Sequence, residues 1–554
     1  MKFLGRDSNG LHEAAFVLGV SAILSQILAF IRDRMLASLF GAGEVLDVYY
    51  ASFRIPDLIY VFIASLVATG ILIPLIIEKR THGSARETRE FLNSILSVFM
   101  LLLFFVSLCA YVLIPLCASK LVPGFSVEMR DSFIALSRIL LLSPLFLGLS
   151  NLIGSITQSS RRFFLYALTP IVYNAGIIMG ILFLYPSFGM EGLAYGVILG
   201  AFLHFFIQVP FVWYEGLLPF PTLRIRFRDI KSVALLSLPR TLSLSITNIV
   251  IIIFTAIASG LSEGSVTVFN LAYNLGNVPL AVIGVSYSVA AFPTLARLFS
   301  NGERSEFVRY VVRAGKHIIF WSLSVLALFV VLRAQIVRSI LGAGAFDWAD
   351  TRLTAAALAL FSFSVAAQGL LLLLVRGYYA AGNTKKPLII NFVAGGISIC
   401  AAYIFLRLFD TVYGFRIFFE ELFRVQGFSG TKMLMLPLAF SLGAIANVVL
   451  LWAAFKKDFR EHYVSIRMSV TGSIAGALVM GIVAYFLLRI FDDTFDVNTF
   501  VGIFSQGFFS GLGAIAVGGI FYEFIGHKEF IDFRKSITRR IWKTKPIIPE
   551  PEVL

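Results

Sequence analysis

Charged residues are scarce in this sequence, at 14% of 554 positions, against roughly a quarter in soluble globular chains. So small a supply could not cover the surface of a water-soluble protein of this length, which excludes a large soluble catalytic domain. Cysteine is nearly absent: Cys109, Cys117 and Cys400 are the whole set, each inside an apolar segment. Cys109 and Cys117 stand eight residues apart on one helix, roughly 12 Å of rise and beyond disulfide reach. No metal-ligand spacing exists, and the three read as small buried side chains. Also missing are the general base and the carboxylate cluster that a membrane-embedded transferase would need. The acid-rich stretches at 347–350 and 492–496 fall in loops expected to be solvated. No small-residue cleavage site follows Lys2, Arg6 and the apolar run Ala14–Ile31, so that run is read as a first helix rather than a signal peptide.

What is present is hydrocarbon. Hydrophobic residues make up 58% of the chain and the mean hydropathy is +0.87. Apolar segments at 14–31, 48–77, 92–118, 133–156, 165–186, 191–213, 233–260, 267–292, 311–333, 353–382, 387–407, 434–455, 468–489 and 500–523 are each about long enough to cross a bilayer. The sequence therefore predicts an all-α polytopic membrane protein of about 14 transmembrane helices. Its net charge of +14 sits in short connections, as topology determinants do, and not in a nucleic-acid groove. The even-numbered connections hold Lys79, Arg80, Arg86 and Arg89, then Arg161 and Arg162, then Arg224, Arg226, Arg228 and Lys231, and the pattern continues to Arg467. Odd connections are poorer in cations and include Asp347, Asp350, Asp492, Asp493 and Asp496. Both termini are thus expected in the cytoplasm, with a basic tail over 528–554 read as a solvated anchor.

A faint internal repeat recurs at about 220 residues. Ile-Leu-Ile-Pro74 before Lys79 and Arg80 is echoed by Ala-Ala-Phe-Pro293 before Arg297, and Asn174 by Asn391. Two pseudo-symmetric six-helix lobes, 1–230 and 231–457, follow from it, with two appended helices at 458–527. Such duplication is typical of transporters.

Polar side chains inside the apolar runs are the informative ones, because a charge at the bilayer centre costs about 2.5–3.5 kcal/mol on insertion scales. Ser21, Ser25, Ala29 and Arg32/Asp33 share one face of the first helix. Asn270, Tyr273, Asn274 and Asn277 share a face of the eighth, Asn151, Ser155 and Gln158 of the fourth, and Thr241, Ser245 and Asn248 of the seventh. For any single Ser or Asn, helix packing is the commoner explanation, and His204, alone on an apolar helix, reads as a packing residue. Arg32, Asp33, Arg34, Asp47, Arg54 and Asp57 within 26 positions, beside the aromatic run Tyr49-Tyr50-Ala-Ser-Phe53, point instead to a hydrated central cavity.

The stretch Arg32-Asp33-Arg-Met-Leu-Ala37-Ser-Leu-Phe40-Gly41-Ala42-Gly43, followed by Asp47 and Phe53-Arg54-Ile55-Pro56, resembles the MurJ/MviN family of lipid II flippases within the multidrug/oligosaccharidyl-lipid/polysaccharide exporter superfamily. The likeness continues in Phe292-Pro293-Thr-Leu-Ala-Arg-Leu-Phe and Gly377-Tyr378-Tyr379-Ala-Ala-Gly-Asn-Thr-Lys385-Lys386-Pro387. The resemblance implies two lobes around a cationic cavity and a groove for a polyprenyl tail on the last two helices. It also implies a bacterial cytoplasmic-membrane location, and a substrate that is undecaprenyl-pyrophosphate carrying a disaccharide–pentapeptide. On that resemblance Arg32, Asp33, Asp47 and Arg54, together with Gln26 and Asn274, are the expected substrate-binding residues. The sequence departs from the family pattern at Gln26 and Asn274, where arginines are common, at Tyr60-Val61, which replace an arginine pair, and at Ser65, which replaces a glutamate; Arg34 is a candidate compensation. No acid lies in 387–407, so neither a sodium site there nor any metal or cofactor is expected, and the membrane potential is the candidate energy source. The expected function is lipid II translocation by alternating access, by a monomer, with membrane lipids and cell-wall synthesis proteins as further partners. Export of another polyprenyl-linked saccharide, or a non-transporting scaffold role, are the alternatives.

Overall fold

The computed structural model describes residues 11–64, 69–82, 84–160, 162–460 and 467–542. Every regular element among them is a helix. Twelve are long and apolar enough to cross a membrane, from Arg86–Leu121 to Phe500–Phe524, and they coincide in order with the third to fourteenth apolar segments of the sequence. The first expected span falls on α1 (Leu11–Phe40). The second, 48–77, is not one helix: α2 (Glu44–Ser52) ends at Phe53 before α3 (Arg54–Ala64) begins, and α4 (Thr69–His82) covers the rest of its described residues. Pro56 sits in the first turn of α3, where its missing N–H removes no helical bond. Ser65 lies outside the described residues.

The chain divides into two compact units. The first comprises Met1–Leu275, Ile340–Phe361 and Asn383–Asn447, and the second Gly276–Ser339, Ser362–Gly382 and Val448–Leu554. In the first unit α5 (Ala85–Leu121), α6 (Val127–Leu140) and α7 (Ser143–Ser159) precede α8 (Phe163–Met179) and α9 (Met190–Phe206). Beyond them lie α10 (Phe227–Ser259), the start of α11 (Ser265–Pro279), the start of α12 (Trp348–Ala380), α13 (Lys385–Thr411), α14 (Tyr413–Phe423) and most of α15 (Met435–Asp458).

Small residues bring α8 and α9 into backbone contact. A Cβ added to Gly176 would lie 2.4 Å from Gly200 Cα, and one on Gly180 would lie 2.3 Å from Gly196 Cα. Close approach through glycine is the packing solution open to helices that gain nothing from burying apolar surface in lipid. Outward faces are correspondingly apolar, with Leu116 72% and Phe392 73% exposed, an arrangement stable only in hydrocarbon. The cysteines belong to this outer surface: Cys109 and Cys400 are exposed and Cys117 half-exposed, which corrects the expectation that they are buried.

The repeat has a structural counterpart. The Asn174 amide of α8 donates to Ser25 Oγ of α1 at 3.3 Å, and the Asn391 amide of α13 donates to Ser243 Oγ of α10 at 2.6 Å. Both members of the second pair lie about 220 residues beyond those of the first.

Hydrogen bonds tie the two ends of this unit. At the basic end Arg80 donates to Ser160 Oγ at 2.9 Å, Arg89 to the Gly216 carbonyl at 2.6 Å, and Arg226 pairs with Glu90. At the other end Gly41 turns the chain with φ +64. The next residue, Ala42, donates its N–H to Asp350 Oδ2 at 3.0 Å, and Ala345 N–H donates to the Ser38 carbonyl at 2.8 Å. Asp350 is therefore engaged, not merely solvated as the sequence suggested. Buried Asp47 caps α11 from a distant part of the chain. It accepts from Gly264 N–H at 2.8 Å, Thr267 N–H at 2.8 Å and Thr267 Oγ1 at 2.6 Å. A carboxylate there satisfies orphan donors at the positive end of a helix.

In the second unit, Arg304–Val331 packs along Arg467–Asp492, with Phe320, Met480 and Tyr522 at the core. The tail is more than a solvated anchor: Lys528–Trp542 is helical, and Phe533 meets Trp321 edge-on at 4.7 Å.

Replacing Asp47 with alanine leaves three donors at the start of α11 unpartnered. Charge-assisted bonds contribute about 1.5–3 kcal/mol each and are not additive. A drop of about 2–3 kcal/mol in stability is expected, read as a lower thermal transition of the purified protein, with Asp47→Asn losing less. An unchanged transition in Asp47→Ala would show that the cap contributes nothing.

Candidate anion-binding site

α1 and α3 each carry one arginine into apolar surroundings, and the structure shows what makes this tolerable. Arg32 Nε and Nη2 contact Asp33 Oδ1 at 2.9 and 2.7 Å, while Nη1 donates to Asn174 Oδ1 at 2.9 Å. Asn174 is itself fixed, its amide donating to the Pro170 carbonyl at 3.0 Å. Arg54 Nε donates to Thr255 Oγ1 at 2.8 Å, and its Nη2 donates to Asn270 Oδ1. The Asn270 amide is anchored on the Val266 carbonyl at 2.7 Å. Each guanidinium is thus oriented by a neutral amide whose other end is locked to its own helix.

A guanidinium has five N–H donors. The contacts above use three on Arg32 and two on Arg54, leaving two and three without a protein partner among the described residues. Both groups line one cavity of about 160 Å³, together with Asp33, Asp57, Asn270 and Asn274. Tyr49, Tyr50 and Tyr173 form part of its wall. Two arginines and two aspartates face it, so its charge is balanced rather than strongly cationic. At about 30 Å³ per water it has room for roughly five waters. That suits a phosphate-sized anion and falls below the ~300–1,000 Å³ of drug-sized ligand pockets.

Of the residues expected from the sequence, Arg32, Asp33, Arg54 and Asn274 come together on this cavity. Gln26 lies outside its lining. Asp47 does too, its oxygens serving the α11 N-terminus. Arg34 points elsewhere, its Nη1 3.4 Å from the Ile340 carbonyl, and does not replace a missing cavity cation. Tyr60 accepts a hydrogen bond from the Asn151 amide at 3.1 Å. Among the polar lining residues, Tyr49, Tyr50, Asp57, Tyr173 and Asn270 were not among the expected substrate-binding residues, although Tyr49, Tyr50 and Asp57 belong to the cluster that pointed to a cavity. Asn270 stands on the same polar face as Asn274, and Tyr173 precedes the repeat residue Asn174; these were the available signals. His204 is the packing residue expected, its Nδ1 2.7 Å from Ser150 Oγ.

Chemically, two oriented arginines with spare donors match the oxygens of a phosphate or pyrophosphate. The adjoining carboxylates compete for the same donors and weaken the grip.

Comparisons with known proteins bear on the family and the fold. A relative named lipid II flippase MurJ in Burkholderia cenocepacia is 24% identical over 81% of this chain and 84% of its own length. One named probable lipid II flippase MurJ in Buchnera aphidicola (strain APS) is 25% identical over 92% of this chain and 95% of its own. Among solved structures, a lipid II flippase MurJ in an inward closed conformation shares the fold with a TM-score of 0.71, at 21% identity, over 92% of this chain and 99% of that one. An inward-facing multidrug resistance MATE transporter of the MOP superfamily matches with a TM-score of 0.63 at 14% identity, over 81% of this chain and all of that one. The family model described as lipid II flippase MurJ matches residues 36–505, most of the sequence, and the chain belongs to that family.

Proposed function

We propose that this chain is a lipid II flippase of the bacterial cytoplasmic membrane, a transporter and not an enzyme. The observation that carries the reading is the placement of Arg32 and Arg54 on one cavity, each held on one edge and free to donate on the other. The pyrophosphate of the lipid sits between them while the polyprenyl tail stays in the bilayer. Asp33 and Asp57 keep the site near neutrality, so the anion binds by displacing internal pairing and leaves when that pairing re-forms. The cavity is too small for the disaccharide–pentapeptide, so it must widen in each cycle, as alternating access requires.

The cation-rich connections favour an orientation with both termini in the cytoplasm. On that orientation the turn at Gly41, the Asp350–Ala42 bond and the Asp47 cap lie on the outer side and hold it shut. The lobes at 1–230 and 231–457 are the rocking halves, and the Ser25–Asn174 and Ser243–Asn391 pairs are the matching seams within them. Exporting two negative charges from a negative interior gains about 4.6 kcal/mol per 100 mV, at ~2.3 per charge, an amount that bound arginines reduce. Membrane potential is therefore a sufficient drive without a metal or cofactor.

Cells depleted of their own lipid II flippase should be rescued by the wild-type chain and not by Arg32→Ala or Arg54→Ala at equal expression. Full rescue by both variants would remove the site assignment. Asp33→Asn frees Arg32 donors, so it should bind lipid II about fivefold or more tightly and turn over more slowly, since a charge-assisted bond is worth about 1.5–3 kcal/mol. Weaker binding would show that Asp33 positions Arg32 rather than competing with substrate. Asp350→Ala removes an outer hydrogen bond and should raise the rate at which a cysteine at Asn274 reacts with a membrane-impermeant maleimide from outside, by about tenfold. The measurement is made with the three native cysteines replaced, and an unchanged rate would mean that this contact does not hold the gate.

A further inference from the structure

A second polar cavity, of about 540 Å³, lies in the first unit at the end bearing the Gly41 turn. One wall is the Gly260–Ser262 turn that leads into α11, and the rest comes from the end of α13, from α14 and from the segment 428–432. This is a built site. Lys432 Nζ contacts Asp410 Oδ2 at 2.5 Å. Arg416 Nε donates to Glu420 Oε1 at 2.9 Å, and Thr431 Oγ1 donates to the same oxygen at 2.8 Å. Glu420 is buried and holds Arg416 at Nε, and Arg416 lines the cavity. The tight path of the loop rests on Gly430, at φ +88, where a Cβ would lie 2.8 Å from Ser262 Oγ. Tyr413 is 76% exposed and offers an aromatic surface at the mouth.

The lining selects a ligand class. Glu420 balances Arg416 and Asp410 balances Lys432, so the lining is neutral overall, but each of these bonds uses one donor of its cation and leaves others over. Those remaining N–H donors call for an acceptor, and the fork of Arg416 suits a carboxylate. The volume falls within the ~300–1,000 Å³ of ligand pockets, enough for a few amino-acid residues. A lipid chain would choose differently: the cavity of about 590 Å³ lined by Leu58, Phe62, Ile249 and Phe392 is almost wholly apolar.

We propose that the polar cavity receives the peptide part of the translocated headgroup, its terminal carboxylate held by Lys432 and Arg416 and its backbone laid against Tyr413. This rests on the flippase reading and adds to it a second subsite on the release side, separate from the arginines that hold the pyrophosphate.

The test uses the full-length protein in nanodiscs and two soluble probes: the disaccharide–pentapeptide without its polyprenyl pyrophosphate, and the same molecule with its terminal carboxylate amidated. Saturable binding of the acid is expected, with the amide about tenfold weaker. Lys432→Gln and Arg416→Gln should each weaken the acid by a similar factor, and Tyr413→Ala, at an exposed position where folding is not at stake, by about threefold to tenfold. Equal binding of acid and amide, or wild-type binding by both Lys432→Gln and Tyr413→Ala, overturns the proposal. Translocation of lipid II by the same protein in vesicles separates the two readings. Probe binding without translocation keeps the subsite and removes the flippase reading; translocation without probe binding removes the subsite alone.

Discussion

A guanidinium charge inside a membrane protein is stable only if it is hydrogen-bonded, and useful for binding only if it is not fully bonded. The first unit meets both conditions with neutral amides. Asn174 and Asn270 each turn one oxygen toward an arginine while their NH2 groups stay on a carbonyl of their own helix. Neither amide cancels the charge, so the field at the cavity survives, and neither saturates the donors. Removing either partner leaves a buried charge uncompensated, the costly way to break such a pair. The carboxylates of Asp33 and Asp57 on the same wall supply the opposing tendency.

The surroundings follow from this constraint. Glycine contacts between α8 and α9 set the backbone on which Asn174 stands, and the Asp47 cap fixes the start of α11, which carries Asn270 and Asn274 into the cavity. The same repeat that places Ser25 against Asn174 places Ser243 against Asn391, with no arginine in the second pair. Duplication supplied the seam twice, and charge was placed on one copy. Asn274, a neutral amide, completes the polar lining of the phosphate-sized cavity.

The spans were legible because twenty apolar residues in a row have one stable solution in lipid, and the register of twelve of them agrees with the structure. Arg32, Asp33, Arg54 and Asn274 were legible as polar groups where hydrocarbon should be. Asp47 was not, because the donors it serves lie about 220 residues away and a helix cap supplied in trans leaves no local mark. Asp57, Tyr49 and Tyr50 sat in plain view, but the break of the second span into α2 and α3, which decides where they face, has no strong periodic signal. The cysteines show a different limit: lipid-facing and core positions have the same composition, so apolarity alone cannot say which way Cys109 or Cys400 points.

A structure of the protein with lipid II bound tests the central claim most directly. The account predicts pyrophosphate oxygens within hydrogen-bonding distance of both Arg32 and Arg54, with Asn174 and Asn270 still holding the far edges of the two guanidinium groups. Pyrophosphate bound elsewhere, with the arginines bonded as they are now to Asp33, Asn174, Thr255 and Asn270 and nothing between them, would contradict it.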